Sequence, residues 1–123
     1  MPNIKDINAA DWSGSVNVPG SLVVVEFWHD QCVWCKRLSP IYEELSGAYS
    51  DVVFARFNIL SSDENLEVGK KLGIAGTPTI KVFCGGRETG EIVGYMEKPE
   101  LKAGLDGLIS KAKDCVSKST AVK

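Results

Sequence analysis

The chain has 123 residues, enough for one domain that buries roughly two thirds of its unfolded surface without covalent staples. Its 44% apolar and 24% charged residues are the balance of a globular domain and exclude a wholly disordered one. Lys and Arg number 14 against 16 Asp and Glu, and the net charge of −2 gives no strong field for a nucleic-acid backbone.

The longest apolar run, Leu22 to Val25, is far too short to span a bilayer. The opening residues, Met1 to Asp6, lack the charged-then-apolar build of a secretory leader, so the cytoplasm is the expected compartment. Ile4 and Ile7 suggest an edge strand, and Ala9 to Val16 a short helix. Ser21 to Trp28 is β-branched and apolar on both parities, which predicts a strand buried on both faces. From Cys32 the period changes: Leu38, Ile41, Tyr42, Leu45 and Tyr49 recur at helical spacing. Pro40 lies inside that helix and removes one backbone donor. Val52 to Phe57 reads as a second strand. Ser61 with Glu64 resembles a capping box opening a helix that stops at Gly73. Thr79 to Cys84 and Glu88 to Val93 read as strands joined by a tight turn at Gly85-Gly86. Pro99 suits the first turn of a last helix, with a stripe of Leu101, Leu105, Leu108, Ile109 and Ala112. Residues 116–123 read as a loose tail after a single domain of residues 1–115. The order is that of a layered α/β domain.

Four cysteines need an explanation: Cys32, Cys35, Cys84 and Cys115. Zinc sites usually bring two close pairs, or one pair and two histidines. Here there is one C-x-x-C pair and a single histidine, His29, which speaks against metal. The other reading of Cys32-Val33-Trp34-Cys35 is a redox pair at the mouth of a helix that follows a buried strand. Inert core thiols are the plain alternative.

The residues that flank the pair carry a resemblance. Phe27-Trp28-x-x-x-Cys32-x-x-Cys35-Lys36, then Pro40, Gly76-Thr77-Pro78-Thr79 and Gly94, resemble the active-site stretches of the thioredoxin family. The resemblance covers roughly residues 20 to 112. It implies a central mixed sheet of four or five strands with helices on both faces. It implies a cis peptide before Pro78, and a backbone at Thr77 that pairs with an incoming polypeptide. It also implies a cycle of protein-disulfide reduction, a dedicated reductase as electron donor, and no bound cofactor. The chain itself has no FAD, NAD or phosphate motif.

The chemistry of the residues agrees. A helix N-terminus stabilises a thiolate, so Cys32 is expected to attack a substrate disulfide, and the more interior Cys35 to resolve the mixed disulfide. Glu26 is a carboxylate within an apolar strand. It stands where the family usually has Asp, and is expected to take a proton from Cys35, directly or through water. Arg56 matches a common Lys of the family and would counter the rise in the Glu26 pKa. Trp28 reads as core packing, as an active-site wall, or both. Trp34 stands where the family has proline and is expected to offer its amide to Cys32, and to face substrate with Thr77 and Pro78. His29 and Asp30 bring titratable groups near the site. Cys84 and Cys115 read as free, incidental thiols. An oxidase or isomerase of the same fold, or a non-catalytic binding module, are the competing functions. The expected partners are disulfide-containing proteins, met by a monomer, without nucleic acid or membrane.

Overall fold

The computed structural model describes residues 4–121, with side chains for residues 4–113. Five strands form one mixed sheet. β1 (Ile4–Ile7) pairs in parallel with β3 (Val53–Asn58), which pairs in parallel with β2 (Leu22–Trp28). β2 pairs antiparallel with β4 (Thr79–Cys84), and β4 antiparallel with β5 (Arg87–Val93). The order β1-β3-β2-β4-β5 puts β2 at the centre, and β1 is the edge strand expected from Ile4 and Ile7.

Both parities of β2 are buried, each in its own core. Leu22 and Val24 pack with Leu38, Tyr42 and Leu45 of α2 (Val33–Ser46) and with Leu101, Leu105 and Ile109 of α4 (Lys98–Ala121). Val23, Val25 and Phe27 pack on the opposite face with Trp12 of α1 (Trp12–Ser15) and Val68 of α3 (Asp63–Lys71). The Trp12 ring meets Phe57 and Phe83 edge-on, with centroids 5.6 and 5.3 Å away, a favoured aromatic geometry. The Tyr42 hydroxyl donates to the carbonyls of Val24 (3.0 Å) and Ala55 (2.8 Å), pinning α2 over the β2–β3 pair. The mixed sheet with helices on both faces is therefore present.

Some boundaries differ from the sequence reading. The short helix expected over Ala9 to Val16 is a 3-10 turn, Ala9–Asp11, running into α1. The cap of α3 is Ser62, not Ser61: its Oγ accepts the Asn65 amide at 3.0 Å, while the Ser61 hydroxyl donates to the Asn58 carbonyl of the preceding loop. Helix α4 continues to Ala121, so the loose tail expected from residue 116 is helical backbone through that residue.

Cys84 is disulfide-bonded, which corrects its reading as a free thiol. That reading rests on the reducing compartment and on the lack of a helix-mouth setting, whereas β4 runs Cys84 into the core cluster that includes Ile109 and Ala112 of α4. Cys115 lies outside the described side chains.

Two glycines end elements in left-handed backbone. Gly73 (φ +72°) closes α3, with the Ile74 amide reaching back to the Gly69 carbonyl at 2.9 Å. Gly86 (φ +88°) follows Gly85 (φ +60°) in the two-residue turn between β4 and β5, where both central residues need positive φ. A Cβ on Gly86 would also lie 1.9 Å from Asn17 Oδ1 and 3.0 Å from Asn17 Cα, whereas one on Gly73 meets nothing within 4 Å. Gly73→Ala is therefore expected to cost only the backbone strain, about 1–2 kcal/mol. Gly86→Ala is expected to cost clearly more. Urea unfolding of both variants checks the order, and equal losses would mean that the Asn17 contact relaxes freely.

Candidate active site

The site forms where β2 ends and α2 begins. Cys32 is the N-cap residue of α2, in extended backbone, and Cys35 lies within the first turn. The two are joined as a disulfide with Cα atoms 5.2 Å apart. Cys32 is 8% exposed and Cys35 1%, so the outer sulfur is the accessible one. The Cys35 amide donates to Cys32 Sγ at 3.1 Å. The sequence reading gave this role to the amide of Trp34. The bond comes from Cys35 because a cap side chain folds back over the first turn and reaches the third helical residue. Either way, the unpaired amides of the helix mouth favour negative charge on Cys32.

Between β2, β3 and α2 lies a polar well. The parallel register aligns Glu26 on β2 with Arg56 on β3. Glu26 is fully buried, and Arg56 Nε donates to its Oε1 at 3.0 Å. The Ser39 hydroxyl of α2 donates to the same carboxylate, 3.4 Å from Oε1 and 3.3 Å from Oε2. Arg56 Nη2 donates in turn to Ser39 Oγ at 2.9 Å. Burial pushes the Glu26 pKa up from its ordinary 4.5; the Arg56 charge and the bonds from Arg56 and Ser39 pull the other way and only partly offset it. Arg56 thus acts on Glu26 as expected, and Glu26 is not the solvated strand-end carboxylate that a shifted strand boundary would make it.

The Arg56 guanidinium also lies over the Trp28 ring, 4.3 Å from its centroid. Trp28 is only part-buried, so it packs beside the well while its edge reaches the surface; its Nε1 is buried without a hydrogen-bond partner among the described residues. Asp30 accepts from Asn58 Nδ2 at 3.3 Å, and His29 Nδ1 accepts from the Gln31 amide at 3.2 Å. Both side chains are engaged in the loop before Cys32.

Across the helix mouth is an open groove of about 310 Å³, lined by Trp34, Thr77, Pro78, Gly94 and Tyr95. The Thr77-Pro78 peptide is cis, as the resemblance implied. The Gly94 amide donates to the Pro78 carbonyl at 2.8 Å, and Thr79 Oγ1 to the Gly76 carbonyl at 2.7 Å, which ties the loop to β5. Trp34 is half exposed, pairs with the Tyr95 ring at 5.4 Å, and carries the Arg37 guanidinium 5.2 Å from its centroid.

The structure thus gathers the seven expected residues at one end of the sheet: Cys32 and Cys35 at the helix mouth, Glu26 and Trp28 below, and Trp34, Thr77 and Pro78 around the groove. Two residues escaped the sequence reading. Ser39 was readable from its i+4 spacing to Cys35, which puts both on one helix face. Tyr95 directly follows Gly94, and nothing in its local sequence marks it as a groove wall. Among the described residues, no three His, Cys, Asp or Glu side chains gather as a metal-binding set, and no helix is long and apolar enough to cross a membrane.

The comparisons with known proteins agree with this geometry. The family model for thioredoxin matches residues 3–107. The chain is 38% identical to a thioredoxin of Alicyclobacillus acidocaldarius over 84 residues, which is 68% of this chain and 77% of that protein. It is 36% identical to thioredoxin 1 of Plasmodium falciparum over 91 residues, 74% of this chain and 85% of that protein. It is 31% identical to the chloroplastic thioredoxin M2 of Arabidopsis thaliana over 104 residues, 85% of this chain but only 55% of that protein. With its fold, its cysteine pair at a helix mouth and these relatives in agreement, the chain belongs to the thioredoxin family and is a thiol-disulfide oxidoreductase.

Proposed function

We propose that the chain reduces disulfides of other proteins by cycling Cys32 and Cys35 between dithiol and disulfide. The observation that carries this reading is the asymmetry of the pair: Cys32 keeps 8% exposure as the cap of the helix, while Cys35 within the first turn keeps 1%. The Cys32 thiolate attacks a substrate disulfide. A Cys32–substrate S–S bond forms, the substrate S–S bond breaks, and the first substrate thiolate leaves with the electron pair and takes a proton from water. Glu26 then takes the Cys35 proton. The Cys35 thiolate attacks Cys32 Sγ, and the second substrate thiolate leaves. The substrate gains two electrons and the chain is left as the disulfide.

An extended substrate segment lies along the groove, pairing with the Thr77 backbone while an apolar side chain meets Trp34 and Tyr95. A dedicated reductase returns the two electrons. The chain works as a monomer in the cytoplasm, where both disulfides seen here would be held as dithiols between turnovers. Thiols blocked in intact cells test the compartment, because Cys84 recovered as a disulfide would place the protein in an oxidising one.

The division of labour has its own test. Cys32→Ser is expected to abolish disulfide reduction. Cys35→Ser is expected to react once and accumulate a mixed disulfide, visible as a mass increase equal to the substrate. Normal turnover by Cys35→Ser, or alkylation of Cys35 before Cys32 in the reduced protein, contradicts the assignment.

The raised pKa of Glu26 carries a stability prediction. The folded state holds this proton to higher pH than the unfolded chain does. Stability from this group is therefore fully present below the ordinary value of 4.5, and is lost as pH rises through the folded-state value. Glu26→Gln removes that loss, and Arg56, 20% exposed, can turn to water. The variant is expected to be more stable than the parent at neutral pH, by on the order of 1 kcal/mol, with the gap closing toward pH 4. Denaturant midpoints across that range measure it. A variant less stable at neutrality would mean that Arg56 outweighs burial.

A further inference from the structure

We propose that the Ser39 hydroxyl is the bridge through which Cys35 passes its proton to Glu26. The proposal rests on Glu26 being the base for Cys35 and names the path between them. Ser39 lies four residues after Cys35 on α2, so both face β2 one turn apart, roughly 5–6 Å between Cβ atoms. Helical side chains lean toward the helix N-terminus, which tips the Ser39 Oγ toward the Cys35 turn. A serine inside a helix commonly returns its hydroxyl to the carbonyl four residues back. Here the hydroxyl crosses to the neighbouring strand and donates to Glu26, at 3.3 and 3.4 Å from the two carboxylate oxygens.

Arg56 explains why. A guanidinium only donates, and its Nη2 takes one lone pair of Ser39 Oγ at 2.9 Å. The hydroxyl hydrogen must therefore point elsewhere, and the carboxylate held by the same arginine is the acceptor beside it. One lone pair of Ser39 remains, and Cys35 is the donor on that helix face once the disulfide is reduced. The charged and titratable groups around the bridge are Arg56 on β3, Glu26 on β2, and Glu43 and Tyr42 on α2 itself.

The transfer balances. The Cys35 S–H proton goes to Ser39 Oγ as the Ser39 O–H proton goes to Glu26. The Cys35 thiolate pair then forms the bond to Cys32 Sγ, and the Cys32–substrate bond breaks with its pair leaving on the substrate sulfur. Ser39 touches neither substrate nor the breaking S–S bond; its part is confined to relaying the Cys35 proton.

Valine and threonine separate the hydroxyl from its shape. Valine matches threonine in volume but has no hydroxyl and fills the space a substituting water would need. The reduced protein is mixed with dithionitrobenzoate in stopped flow. Attack by Cys32 releases one coloured thiolate, and resolution by Cys35 releases the second. With the second step normalised to the first, Ser39→Val is expected to slow it at least about tenfold, part of the roughly 100-fold or more that a placed acid–base group supplies. Ser39→Thr is expected to stay within about twofold. The Ser39→Val deficit is expected to close at alkaline pH, where Cys35 ionises unaided, and to vanish in a Glu26→Gln background, since the two act on one proton.

If Glu26→Gln slows the second step and Ser39→Val does not, the bridge is overturned and Glu26 stands as the base. If Thr and Val slow it equally, or the Val deficit persists at alkaline pH, the effect is one of shape and the bridge is again overturned. If neither Glu26→Gln nor Ser39→Val slows it, the base assignment fails and the bridge with it.

Discussion

The site depends on a carboxylate held inside an apolar sheet. Glu26 sits in the central strand with no exposure, between Arg56 on one neighbouring strand and Ile80 on the other. An isolated ion there would be costly enough to neutralise itself. The parallel register of β2 and β3 sets the Arg56 charge opposite it, and that charge is itself partly wet and shared with the Trp28 ring and Ser39. Because Arg56 is divided in this way, burial keeps the upper hand and the proton affinity of Glu26 rises. A carboxylate so placed holds its proton more tightly than an exposed one does.

Most of this was legible in the residues. A strand apolar on both parities, a helix-period stripe after Cys32, and glycines at Gly73 and Gly85-Gly86 mark their elements through local sterics alone. The long-range features were not. That Arg56 lies beside Glu26 came only from the family resemblance, because a parallel register is set by two strands far apart in sequence. Ser61 and Ser62 are chemically equal candidates for a cap, and the tie is broken by the Asn58 carbonyl, which engages Ser61. The amide that reaches Cys32 Sγ belongs to Cys35 because cap geometry counts from the first helical residue, whose position the sequence leaves uncertain by a residue or two. The bonded state of Cys84 was not legible either, because nothing in its local sequence marks a partner.

The geometry also separates two tasks that one cysteine could not do well. Cys32 needs contact with a bulky partner, and the groove beside it is shallow, open and aromatic, walled by Trp34 and Tyr95. On the path proposed here Cys35 gives up its proton along the helix face it shares with Ser39, whose hydroxyl donates to the buried Glu26 carboxylate. A single turn of α2 divides the open aromatic face from the part-buried polar one. Pro40 lies one residue beyond Ser39 and has no amide to give, so the Lys36 carbonyl loses its usual helical partner directly behind the pair. The Cys32–Cys35 bond joins the two ends of that turn. Changes in the groove should therefore alter which disulfides arrive without altering how the second thiolate is made, whereas changes in the well should do the reverse.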